Sequence, residues 1–229
     1  MSGLSSSRAQ WARYDLNPHL VESCSTGIEA VGAVTFVPAF DVGGRDSAAG
    51  LQRGETYSTE NSMSDISTLS DLYIDELKDL WSANDQMARV LVRIAPQATN
   101  PNLKQMLQDS LKGIESHTSL LKTLIANQDD DVSKEHCKGM EGLVNEAVKH
   151  TIDDAPAKGP VLDAAIIAQY QRMTHYGITG FGTVAAFSKS LRLDDDNRQL
   201  TAAVKDMYVA DELMTELAEA AVNDDAADE

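Results

Sequence analysis

From Ser64 onward, apolar residues return every three or four positions, the period of a helix with one buried face. The spacing predicts a first helix over about Ile66 to Ala95, with Leu69, Leu72, Tyr73, Leu77, Leu80, Met87, Leu91 and Ile94 on its buried stripe. Pro96 stands just past its end. Asn100-Pro101 offers a cap followed by a proline at the first helical position, which opens a second helix to about Asn127. Leu103, Leu107, Ile114, Leu121 and Leu124 face inward there. Asp129-Asp130-Asp131 reads as a solvated loop. A shorter third helix covers about Lys138 to Ile152, and Pro156 and Pro160 close the connection after it. The fourth covers about Val161 to Leu191. Asp194-Asp195-Asp196 opens the fifth, which runs to about Val222; acidic residues suit the positive end of a helix dipole. The tail from Asp224 reads as frayed.

Four long helices and one short one, joined by short polar loops, predict an all-α, antiparallel up-and-down four-helix bundle with an additional short helix. Residues 63–229 are ample for one well-buried core. Ala164, Ala168, Gly182 and Ala185 form a small-residue stripe on the fourth helix, which would let two helix axes approach within roughly 8–10 Å.

Residues 1–62 lack this period. They carry Gly43-Gly44, Ser5-Ser6-Ser7 and scattered charge, and read as a disordered or loosely structured extension. Ala30 to Phe40 has strand character but no partner to pair with. Met63 resembles a natural protein start, and Thr59-Glu60-Asn61 can be encoded by a purine-rich ribosome-binding sequence. The natural product is therefore expected to begin at Met63, with the earlier residues over-annotated; intact mass from the native host tests this.

The net charge of −17 would repel phosphate backbones and anionic lipid, which argues against nucleic acid and membrane surfaces and leaves a basic protein as a possible partner. Cys24 and Cys137 make no disulfide framework, and the N-terminus lacks the lysine cluster and apolar core of a secretory signal. No apolar run reaches the ~20 residues that span a bilayer. A cytoplasmic location is expected.

Bundles of this kind often carry metal-binding glutamates on their inner face. The stretch Gln169 to Thr183 is helical in pattern yet offers Thr174 and Gly177 inward instead. A helical wheel places Asn84, His117, Thr174 and Asp211 on the apolar stripes of the first, second, fourth and fifth helices. Such groups cost on the order of 1–3 kcal/mol when buried unpaired, so a mutually hydrogen-bonded interior polar cluster is expected. A dinuclear carboxylate site would want Glu-x-x-His on two helices, and the chain contains none: Ile114, Ala147 and Arg172 precede His117, His150 and His175 by three residues. No catalytic residue and no cofactor is favoured. The alternative is an iron or manganese site using His117, Glu146, His175 and Asp211. His175 reads as packed on the small-residue face, Glu141 and Glu146 as solvated or salt-bridged, and Trp81 and Tyr73 as core. His136 and Cys137 are adjacent on the chain and point about 100° apart, which spoils them as a nucleophile pair.

Three segments resemble the bacterial YciE/YciF stress proteins of the ferritin-like superfamily. They are Glu76-Leu-Lys-Asp-Leu-Trp-Ser-Ala-Asn-Asp-Gln86, Cys137-Lys-Gly-Met-Glu-Gly-Leu143, and His175-Tyr176 followed by Gly182-Thr183. The resemblance spans about Ile66 to Val222. It implies a ferritin-like bundle, often dimeric, linked to stress response, with poorly defined activity. It also implies glutamates at the positions of Asn84, Gly113, Thr174 and Gly177, and a Glu-rich turn where Lys205-Asp206-Met207 stands; His117 and Asp211 are retained. At least four carboxylate ligands of the family are missing here. The combined reading is a non-enzymatic homodimer with a degenerate metal site, the dimer resting also on exposed Leu, Ile and Met. The alternatives are a metal-dependent oxidoreductase or iron-handling protein and an acidic partner-binding scaffold.

Overall fold

A computed structural model describes residues 66–128 and 131–228. The expectations for residues 1–62, including Cys24 and the Ala30 to Phe40 segment, lie outside the described residues, as do Asp129 and Asp130. Among the described residues there is no strand.

Helix α1 spans Leu69–Ile94 and opens on a capping box. The Thr68 hydroxyl accepts from the Asp71 amide at 3.1 Å, and Asp71 Oδ2 accepts from the Thr68 amide at 2.9 Å, so two orphan donors are satisfied reciprocally. A 3₁₀ turn over Ala95–Gln97 absorbs Pro96. Helix α2 spans Pro101–Asn127, capped by Asn100 Oδ1, which accepts from the Asn102 and Leu103 amides at 2.9 and 3.2 Å. Helix α3 spans Lys138–Val148 and runs into a π turn over Lys149–Asp153. Helix α4 spans Pro160–Ser190 and ends in a Schellman motif: the Leu193 amide returns to the Ser188 carbonyl, and Arg192 takes the left-handed conformation at φ 62°. Helix α5 spans Asp194–Leu217, followed by a π turn over Ala218–Val222 and the short α6 over Asn223–Ala227.

Two apolar clusters give the helix directions. One gathers Tyr73 and Leu77 from the start of α1, Leu121 and Leu124 from the end of α2, Phe181 from the end of α4 and Leu200 from the start of α5. The other gathers Leu91 from the end of α1, Leu103 from the start of α2, Ile166 from the start of α4 and Met214 from the end of α5. Helices α1 and α5 therefore run one way, α2 and α4 the other. The bundle is the expected one, but its order is not plain up-and-down. The connection between α2 and α4 therefore crosses the length of the bundle, and within it α3 packs against α1 and α4. Each fully buried leucine in these clusters contributes roughly 1.5–3 kcal/mol through removal from water.

Several burial expectations shift. Leu69 is exposed and Leu72 and Ile114 are half-buried, because the first lies in the opening turn and the others flank the seam. The small-residue stripe does not form a contact as a unit: Ala168 is exposed, and a Cβ added at Gly182 would meet nothing within 4 Å. The close approach of α1 and α4 is made by Gly180, where a Cβ would stand 2.4 Å from Leu80 Cδ2. Exposed large apolar side chains among the described residues are Ile66, Leu69, Val92, Val132, Val161 and Tyr208, with no methionine among them. Tyr73 is fully buried, whereas Trp81 is half-buried with the Lys122 ammonium 4.6 Å from its ring centre. No helix among the described residues is long and apolar enough to cross a membrane.

Candidate functional site

Midway along the bundle is a cavity of about 360 Å³. Asn84 and Met87 of α1 line it, with Gly113 and His117 of α2, Thr174 and Gly177 of α4, and Asp206 and Met207 of α5. The four positions where the family resemblance implies glutamates, Asn84, Gly113, Thr174 and Gly177, thus all border one space. At Gly113 a Cβ would meet nothing within 4 Å, and at Gly177 it would meet only Met207 Sδ, at 3.3 Å. A side chain at Gly177 would press on Met207 of the cavity wall, and one at Gly113 would enter open space beside it.

The polar atoms in this space are not mutually satisfied. Asn84 and Thr174 are buried, yet Asn84 Nδ2 and Thr174 Oγ1 have no hydrogen-bond partner. Thr174 Oγ1 approaches the Tyr170 hydroxyl without meeting hydrogen-bond geometry. Tyr170 instead pairs with the Ser110 hydroxyl at 2.9 Å, and burial pushes its phenol up, so it stays protonated. His117 Nε2 lies 3.8 Å from Asp206 Oδ2, and its ring is tilted against Phe181 with centroids 5.6 Å apart.

The expected four-member cluster is therefore corrected at one member and in its bonding. Asp211 does not line the cavity. The buried apolar positions of α5 are Leu200, Ala203, Ala210, Met214 and Leu217, which puts Asp211 one residue, about 100°, off the inward face. It accepts from Gln171 Nε2 at 3.2 Å and pairs with His175 Nε2 at 2.9 Å. His175 is satisfied as expected but exposed rather than packed. Glu146 of α3 pairs with His150 of the π turn at 3.0 Å, and Glu141 with His136 at 3.2 Å, both glutamates exposed. The candidate ligands His117, Glu146, His175 and Asp211 thus fall in three separate places. Among the described residues, no three His, Cys, Asp or Glu side chains lie where they could hold one ion. A dinuclear carboxylate centre wants a surplus of anionic donors on one cavity. The donors here are an amide, a hydroxyl and one imidazole with a distant aspartate, so the residues present do not fit such a centre.

A second arrangement escaped the sequence. Cys137 caps α3, with its Sγ accepting from the Met140 amide at 3.4 Å and lying 3.0 Å from the Tyr176 hydroxyl. Tyr176 in turn donates to Asp79 Oδ2 at 3.3 Å. The Cys137 amide donates to Ser82 Oγ at 3.0 Å, and its carbonyl accepts from Gln86 Nε2 at 2.9 Å. Gly139 leaves room for the Tyr176 ring, since a Cβ there would stand 2.8 Å from it. Burial pushes the Cys137 thiol up, away from the reactive thiolate. His136 faces Glu141 instead, so it gives Cys137 no base. Asp79, Ser82, Gln86, Cys137, Gly139 and Tyr176 come from the three segments that carry the family resemblance. They form one joint that fastens the crossover to the bundle. Their shared presence in recognisable segments was the only sequence signal of this contact.

A family model described as a domain of unknown function, DUF892, matches residues 68–227. The chain belongs to this family. Protein YciF of Escherichia coli K12 is 27% identical to this DUF892 chain over 154 residues, covering 67% of it and 92% of YciF. The crystal structure of the E. coli stress protein YciF superposes with a TM-score of 0.64 at 28% identity, covering 69% of this chain and 99% of that one. YcfI of Rhodopseudomonas palustris, for which a structural role has been suggested, superposes with a TM-score of 0.63 at 31% identity, covering 67% and 96%. The DUF892 match spans all three segments of the joint and the whole cavity.

Proposed function

We propose that this chain is a non-enzymatic, ferritin-like bundle protein of bacterial stress tolerance, cytoplasmic and homodimeric, whose central metal site has been dismantled. One observation carries the reading: Asn84, Gly113, Thr174 and Gly177, the positions of the implied family glutamates, border a single cavity. Removing long anionic side chains from four facing positions would leave such a space. The single long crossover between parallel α2 and α4 supports the ferritin-like assignment. The stress role follows from similarity to the stress protein YciF. The scatter of His117, Glu146, His175 and Asp211 weighs against the iron or manganese reading.

Elemental analysis of protein produced with added iron and manganese tests it. The expected metal content is far below one ion per chain. Near-stoichiometric metal that disappears in His117→Ala would overturn the reading. For the dimer, light scattering on the eluting peak should give twice the chain mass; a monomer at micromolar concentration would refute it.

A further inference from the structure

We propose that the central cavity binds a small, uncharged organic molecule carrying one carbonyl oxygen. The inference rests on the reading that no ion fills this space, and it adds what does.

The volume of about 360 Å³ lies in the range of small-molecule pockets, roughly 300–1,000 Å³. Met87, Met140, Met173, Met207 and Ile114 give the wall a broad apolar face beside its polar residues. Thioether side chains are unbranched and polarizable, and they adapt to a ligand's outline.

Of the polar groups on the wall, Ser110 and Tyr170 satisfy each other, whereas Asn84 and Thr174 each lack a partner. Asn84 is 8% exposed and Thr174 4% exposed. Asn84 Nδ2 can only donate, and the Thr174 hydroxyl can donate as well. A carbonyl oxygen has two lone pairs and would accept from both. Leaving each donor unpaired is unfavourable, so a ligand that satisfies both gains on binding.

The ionisable groups of the lining stand away from this pair of donors. Lys112 and Asp206 have side chains 62% and 43% exposed and stand at the rim; His117 is 13% exposed and close to Asp206. No charged side chain lines the interior beyond them. An ionised ligand head seated against Asn84 and Thr174 would have only neutral partners there, which disfavours it.

The experiment uses the full chain after chelation, labelled at its methionine methyl groups. Acetophenone is titrated in, and ethylbenzene serves as the probe of similar shape without the oxygen. Saturable shifts are expected at the cavity methionines. Acetophenone should bind on the order of tenfold more tightly, the equivalent of one to two neutral hydrogen bonds. Asn84→Leu combined with Thr174→Val should remove that preference while leaving both probes able to bind. Gly113→Leu places a side chain into open space and should abolish binding of both, with methyl spectra confirming that the variant is folded. Absence of saturable shifts would mean a cavity holding water only and would overturn the proposal. Equal affinity for the two probes would overturn the carbonyl assignment, and undiminished binding in Gly113→Leu would overturn the location. Because the protein is chelated, these outcomes are independent of the metal content measured by elemental analysis.

Discussion

Within five residues, helix α1 serves two neighbourhoods that behave in opposite ways. Ser82 and Gln86 face the crossover, where both are hydrogen-bonded to the backbone of Cys137 at 3.0 and 2.9 Å. Asn84, between them, faces the cavity and leaves its amide donor unpaired. All three are buried. A buried polar residue with its partners in place fastens the fold, whereas one without marks a space shaped for something else. The segments that carry the family resemblance belong mostly to the joint, so the resemblance holds although Asn84, Gly113, Thr174 and Gly177 stand where it implies glutamates.

The contrast can be broken most forcefully at the joint. Gln86→Ala removes two hydrogen bonds and leaves the Cys137 carbonyl with the Glu141 amide alone, and at roughly 1 kcal/mol for each lost bond it should cost about 2 kcal/mol in denaturant unfolding. Gly139→Ala pushes a methyl group against the Tyr176 ring and should cost about 1 kcal/mol, the ring having to move. At the cavity the sign reverses. Gly113→Ala adds a methyl group that meets nothing and removes a glycine from a helix interior, so stability should rise by roughly 0.5–1 kcal/mol. A loss there would mean that the space around Gly113 is filled.

The smallest expected effect is a pH dependence at Glu76. Burial, and then Asp79 and Asp75, raise its carboxyl above the ordinary value. The folded chain therefore holds a proton that the unfolded chain has already released, and stability falls as pH rises from the ordinary carboxylate range through the raised value. Glu76→Gln should raise the melting temperature at neutral pH and leave it unchanged in acid below the ordinary value. An equal shift at both pH values would show that the charge is not the cause.

Helix positions were legible because the chain writes them locally: the period of apolar residues, Asn100-Pro101, and Pro160 at the start of α4. The direction of the crossover was not, since a polar segment carries no sign of whether it turns back or runs the length of a bundle. Asp211 was misplaced by a single residue of phase, which on a helix is enough to move a side chain out of the interior. The Cys137 to Tyr176 contact joins residues 39 apart and leaves no local trace. A satisfied cluster around Asn84 and Thr174 was the reasonable expectation for buried polar groups in general. It failed because these two occupy positions where larger side chains are implied for the family.

The decisive measurement is an anaerobic ferrous-ion titration of this chain beside a variant carrying Asn84→Glu, Gly113→Glu, Thr174→Glu and Gly177→Glu. The natural chain should show no saturable binding, and the variant should gain it. Tight, stoichiometric binding by the natural chain, no weaker than that of the variant, would contradict the claim that the centre of this bundle has lost its grip on metal.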